Sequence, residues 1–281
     1  MTSLSPSRCF LLLAASLSIL PARAQDAPPL QIAFVGNRTL PFSAVSVEGD
    51  RITVKSAVNG FDEGQTFSLS LASHIQGQKP AAINQGIAQL LLGNPAEALK
   101  IFEPILSEHR VTAKIPGNFW LETARAALVA NALSGFRAKA DELGGEISDA
   151  TPAAGNDPTV ALAKALLVTS STPLEDRLSV LSTLATDDSP ADVSAYACFF
   201  KAELLKGAKR EDEALDSYLR VGTLYPTGGS VLNGAAEMNA SRILASRNRR
   251  DEAIALLNSA VREAQGTAIA EEAEKRIKSL E

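Results

Sequence analysis

The sequence predicts a mainly α chain, with helix hairpins repeating along a superhelical α-α solenoid behind a small N-terminal antiparallel β segment. Three observations predict it. The hydrophobic period is two residues between 31 and 78 and 3.6 residues from Pro80 onward. Cap-and-proline helix starts recur as Asn94-Pro95, Asp157-Pro158, Thr172-Pro173 and Ser189-Pro190. One short pattern also returns three times: GNPAEALKIFEPIL from Gly93, KREDEALDSYLRV from Lys209 and NRRDEAIALLNSAV from Asn248.

Composition narrows the function classes before any motif is read. The 281 residues are 46% hydrophobic and 21% charged, a globular mixture. Aromatics are only 5%, so helices must pack largely through small side chains. With 27 Lys and Arg against 32 Asp and Glu, the basic footprint that nucleic acid requires is missing. Two histidines and two cysteines leave little material for a metal site or a catalytic triad, and no cofactor is expected.

Residues 1–24 read as a secretory signal peptide. Arg8 charges a short leading region, Phe10 to Leu20 form an apolar core, and Ala22-Arg23-Ala24 is a small-x-small cleavage pattern. That core is too short to span a bilayer, which takes about 20 residues. Cys9 precedes the apolar core, so a lipoprotein reading fails. Cleavage after Ala24 would leave Gln25 as the first residue and Cys198 as the one thiol, which excludes an intramolecular disulfide. The expected product is exported to the periplasm without a membrane span.

Residues 25–30 are a polar leader. In the β segment at 31–78, Gln31 to Val35 is a short strand, and Ala44 to Glu48 and Arg51 to Ser56 flank a turn at Gly49-Asp50. Phe67, Leu69 and Leu71 alternate with serines as a further strand. A three- or four-stranded meander is expected, too small to stand alone and therefore packed on the helices. The helical repeat domain occupies 80–281. Ile83, Ile87, Leu90 and Leu91 line one face of its first helix, and Gly93 stops it. Asn94 caps the next helix, Pro95 fits its first position and Glu97 suits its positive start. The helix pairs predicted are 80–108, 118–147, 158–186, 190–225 and 229–264. A closing helix at 267–280 is polar on one face, and the β segment covers the other end. In such an array each unit touches only its neighbours.

The repeat has a physical logic. Each copy places a small Ala four residues before a larger side chain: Ala98 and Phe102, Ala214 and Tyr218, Ala253 and Leu257. The Ala lets the second helix of a pair approach the first, and the larger residue fills the groove beside it. Ala140 falls close to one intermediate position, and the helix around Leu178 and Leu181 fills another. These residues resemble the tetratricopeptide repeat, most clearly at Gly86, Gly93, Ala98 and Phe102. Ala202, Ala214, Tyr218 and Pro226 match it again, as do Ser241, Ala253, Leu257 and Ala260. The period here, about 39 residues, exceeds the family's usual length of about 34. The tail, from Tyr225-Pro226 to Ala270–Leu280, is similar to periplasmic repeat proteins of the Tol–Pal coordinator type. The resemblance implies a non-catalytic scaffold that binds a protein or peptide partner on the inner face of its first-helix set. Carried onto this chain, that face holds Phe199, Lys206, Asn239 and Arg242, whose cationic and amide groups suit a carboxylate.

Other residues give weaker signals. His74 and His109 lack a companion motif, and His109 suits a helix C-terminus. Cys198 lies in an apolar run and reads as a buried small residue. Trp120 reads as packing against the β segment or a neighbouring helix rather than as a ligand anchor. Glu211-Asp212-Glu213 and Arg247 to Arg250 read as solvated clusters at helix turns. The expected function is therefore a non-catalytic envelope scaffold for protein–protein interaction. The alternatives are an envelope hydrolase or carbohydrate-active enzyme, for which Glu203 and Asp141 are the carboxylates to mutate, and a structural subunit whose copies associate through the β segment.

Overall fold

The computed structural model describes residues 30–151, 157–168 and 171–281, so the predicted signal peptide at 1–24 and the leader up to residue 29 lie outside the described residues. Among the described residues, six short strands come first: β1 (Gln31–Phe34), β2 (Thr39–Pro41), β3 (Val45–Glu48), β4 (Arg51–Val54), β5 (Thr66–Ser68) and β6 (Ala72–Gln76). They make two antiparallel three-stranded sheets, in the orders β2-β1-β6 and β3-β4-β5. Three of the expected strands form the meander β3-β4-β5, but the strand at Gln31 lies in a separate sheet with β2 and β6. The alternation from Phe67 to Leu71 is not one strand, because a 3-10 turn at Leu69–Leu71 interrupts it. That turn carries the chain from the second sheet to the first, where Ile75 lies opposite Ile32. The β3–β4 hairpin closes on Gly49, whose φ of +57° is a conformation that few side chains tolerate.

The two sheets share a core of Ile32, Leu40, Ile52, Val54 and Phe61. Phe67 packs its ring 5.3 Å from Phe61 and 5.5 Å from Phe34. Ile115, from the helical part of the chain, completes this core, and Ile75 N–H donates to Pro116 O. His109 sits at the same junction, its ring 6.0 Å from both Phe42 and Phe119. The sheets therefore dock on the connection between the second and third helices.

Eleven α-helices follow among the described residues: α1 (Ala81–Leu91), α2 (Pro95–His109), α3 (Phe119–Leu133), α4 (Arg137–Ala150), α5 (Pro158–Leu166), α6 (Leu174–Leu184), α7 (Ala191–Gly207), α8 (Glu211–Leu224), α9 (Ser230–Ser246), α10 (Arg250–Glu263) and α11 (Ala268–Leu280). None is long and apolar enough to cross a membrane. Four hairpins turn in the same way. Gly93, Gly135, Lys209 and Asn248 all adopt positive φ. The amide after each bonds back to a carbonyl five residues earlier: Asn94 N–H to Gln89 O, Phe136 N–H to Asn131 O, Arg210 N–H to Leu205 O and Arg249 N–H to Leu244 O. This left-handed cap satisfies helix-end carbonyls and reverses the chain within a few residues.

Packing within the pairs follows the small-then-large pattern. Ala98, Phe102, Ala214, Tyr218, Ala253 and Leu257 are all buried. Gly86 lies so close to the Phe102 ring that an added Cβ would stand 2.3 Å from it. Gly234 plays the same part between α9 and α10, where a Cβ would meet Ala264 at 2.9 Å. Contacts are not confined to successive pairs. α1 packs against α9 and α11, and Gln85 Nε2 donates to Gly266 O. The apolar face of α1 (Ala88, Leu90, Leu91) thus joins the same core as Ile269 and Ala273 of α11. The first and last helices close on one another because each has apolar surface left over after pairing with its neighbour.

Candidate partner-binding site

The small residues of α7 and α9 set this site. Ala195, Ala197 and Ala202 on α7, with Ala235, Ala236 and Ala240 on α9, are buried and let the helices approach closely. One-turn and two-turn spacing then aligns Phe199 with Lys206, and Asn239 with Arg242. All four line a single cavity of about 380 Å³. Its apolar wall comes from Leu90, Leu91 and Leu92 at the end of α1, Leu133 of α3, and Phe200 and Met238.

The four residues do not play equal parts. Phe199 is buried, with its ring edge-on to Phe200 at 5.4 Å and 5.7 Å from Tyr218, so it is wall and floor rather than an open contact. Lys206 Nζ donates to Glu203 Oε2 at 2.6 Å. Glu203 also accepts from the Tyr218 hydroxyl, and burial together with this carboxylate pushes the phenol well above its usual range. Asn239 donates through Nδ2 to Ala235 O at 3.1 Å. Arg242 is exposed and makes no hydrogen bond or ion pair among the described residues. A further cation, absent from the sequence reading, enters from α11. Arg276 Nε donates to Glu272 Oε1 at 2.9 Å and its Nη1 to Met238 O at 3.2 Å, fixing the guanidinium beside the cavity.

The electrostatic result is a pocket with three cations against one lining carboxylate. Glu203 neutralises Lys206 and Glu272 neutralises Arg276, so Arg242 brings the uncompensated charge. An anionic group entering beside apolar walls would meet charge-assisted donors. The α1 and α11 contributions carry no local sequence signal, because they meet α7 and α9 only through closure of the helical layer.

The remaining candidates fall elsewhere. Trp120 is buried among Leu128, Ala140, Ile147 and Ala163, against neighbouring helices and not the sheets. His74 is exposed on β6, with Nδ1 3.0 Å from Ser73 Oγ. Cys198 is buried, and burial pushes its thiol up, away from the reactive thiolate. Asp141 is exposed on α4 and is not part of the cavity wall. The turn charges are paired rather than merely solvated: Arg210 bridges Glu213 and Glu175, Arg247 holds Asp212, and Arg249 holds Glu252. Among the described residues no group of three His, Cys, Asp or Glu side chains is placed to hold a metal ion. Comparison with known proteins finds no matching family model, no similar curated protein and no similar solved structure.

Proposed function

We propose that this chain is a non-catalytic, exported scaffold of tetratricopeptide-like hairpins, which mediates protein–protein interaction in the bacterial cell envelope. One observation carries the reading. Phe199, Lys206, Asn239 and Arg242, chosen from two hairpins by repeat register alone, line one cavity with a free guanidinium at its edge. The shared turns at Gly93, Gly135, Lys209 and Asn248 support the repeat reading, as does burial of the Ala and large-residue pairs. The partner is a protein or peptide that offers a carboxylate next to apolar side chains. The pocket is bounded by α1 and α11, so it suits the end or a side chain of a peptide better than a long extended strand.

The experiment uses immobilised chain beginning at Gln25, wild type and Arg242→Glu, each exposed to the host's envelope fraction. The expected result is a partner retained by the wild type and lost from the variant. Identical recovery by both, or recovery of nothing above background, would refute the proposal. Export has its own test, because the mass of the protein recovered from the envelope should correspond to a chain starting at Gln25. An intact Met1 in that fraction would overturn it.

A further inference from the structure

A larger cavity, about 500 Å³, opens on the N-terminal halves of α1, α3, α7 and α9, whose C-terminal halves wall the first one. Tyr196 lines it, stacked on Phe200 of the first cavity at 6.0 Å and 10°. Two sets of its polar groups are left open to a ligand. Asp192 and Tyr196, one turn apart on α7, form the first with Glu122 of α3. Burial, then Asp192 and Glu122, raise the Tyr196 phenol, so it keeps its proton and its oxygen is free to accept. The hydroxyl makes no hydrogen bond among the described residues. Lys79 pairs with Glu122, whereas Asp192 receives only the adjacent Val193 amide.

The second set is the start of α9. The amides of Ser230, Val231 and Leu232 have no acceptor among the described residues, and the preceding Gly229 supplies no capping side chain. A close approach brings the two sets together. At Gly228 a Cβ would stand 2.6 Å from Ala195 Cβ and 2.8 Å from Ala191 O, so this loop lies directly on the first turns of α7, beside Asp192 and Tyr196. Arg125 adds a fixed cation to the wall, held on the buried Asp157 through Nε at 3.0 Å and Nη2 at 2.7 Å.

We propose that this cavity binds the α-amino end of a free amino acid or short peptide, with the ammonium among Asp192, Glu122 and the Tyr196 oxygen and the neighbouring carbonyl or carboxylate oxygen on the open α9 amides. Lys79, Lys114 and Arg125 also line the space, but they are paired with Glu122, Asp50 and Asp157, so a simple anion is left facing the unneutralised Asp192. A bare metal ion lacks a third carboxylate. An α-amino group with its adjacent oxygen satisfies both sets at once, and Ile87, Leu121 and Ala126 line the same space for a side chain.

Isothermal titration of the chain beginning at Gln25 with L-alanine, L-alanyl-L-alanine and N-acetyl-L-alanyl-L-alanine tests the proposal. Binding of one or both free-amine probes without the acetylated one is expected, and which of them binds identifies the source. Asp192→Asn should weaken that binding about tenfold or more, since it removes a charge-assisted bond. Tyr196→Phe should weaken it less. Circular dichroism checks that both variants fold. Arg242→Ala, in the other cavity, should keep the affinity, so this result does not depend on the partner site. Equal binding of the acetylated probe, no binding of either free-amine probe, or unchanged affinity in folded Asp192→Asn would overturn it.

Discussion

Gly86→Ala isolates the close helix approach on which the pairs depend. An added Cβ would stand 2.3 Å from Phe102 Cε1 and 2.8 Å from Cδ1 and Cζ, where ordinary contact begins near 3.4 Å. The ring would have to retreat by about 1 Å inside close-packed surroundings. Phe102 is fully buried and has no open side to move toward. Overpacking of this kind costs about 1–3 kcal/mol. The same substitution also gains about 1 kcal/mol of helix propensity, which must be removed from the comparison. Gly145 supplies the reference: it lies in α4, exposed, with nothing within 4 Å of the place a methyl group would take. Gly145→Ala should therefore stabilise by about 0.5–1 kcal/mol. The difference between the two variants reads the packing term alone, about 1–3 kcal/mol. Urea unfolding followed by circular dichroism measures both, and the single tryptophan, buried Trp120, gives an independent signal. Phe102→Leu in the Gly86→Ala background should recover part of the loss. If Gly86→Ala stabilises as much as Gly145→Ala, the contact between α1 and α2 is not as close as described and the reasoning fails.

Lys209 holds φ +61° where Gly93 and Gly135 serve the equivalent turns, so Lys209→Gly should raise stability by about 1 kcal/mol in the same urea assay, and no gain would mean the turn is unstrained. Ala253→Leu should destabilise by about 1–3 kcal/mol because Ala253 is buried against α9, whereas Ala255→Leu on the exposed face should change little; equal tolerance would contradict the packing. Hydrogen exchange on Ala253→Leu should show loosening in α1 as well as in α9 to α11, because α1 packs on α9 and α11, while the sheets keep their protection. Burial lowers the His109 pKa below 6.5, with Glu108 opposing, so the unfolded chain binds the proton more tightly. Stability should then fall as pH drops below that value and level off once the folded-state pKa is passed. His109→Phe should flatten that part of the profile, and an unchanged profile would remove His109 as its source.

Much of the helical layer was legible because its signals are local. Prolines mark the starts of α1, α2, α5, α6 and α7, Asp157 caps α5, and Gly93 and Gly135 follow α1 and α3. The Asn94 side chain, expected to cap α2, donates to Gln89 Oε1 instead. The 3.6-residue period marks the buried face. The predicted pairs therefore coincide closely with α1–α2 through α9–α10 and the closing α11. The β segment was less legible for the same reason. Strands β2 and β6 are short, and β6 reaches its partner β1 only after a turn at Leu69–Leu71 that the alternation of Phe67, Leu69 and Leu71 conceals.

The sites divide along the same line. Phe199 and Lys206, like Asn239 and Arg242, share a helix, so their common direction follows from helical geometry. That Phe199 is a buried wall, that Lys206 is neutralised by Glu203, and that Arg276 stands beside them are products of packing. The sequence by itself determined where most helices begin and end and which small residues face their neighbours. Tertiary structure alone decided that α1 and α11 meet, that two cavities occupy opposite halves of the same helices, and that Gly228 sets the α9 amides beside Asp192. Backbone and helix periodicity act over a few residues, but burial of leftover apolar surface joins segments far apart in the chain, and no local pattern records which will meet.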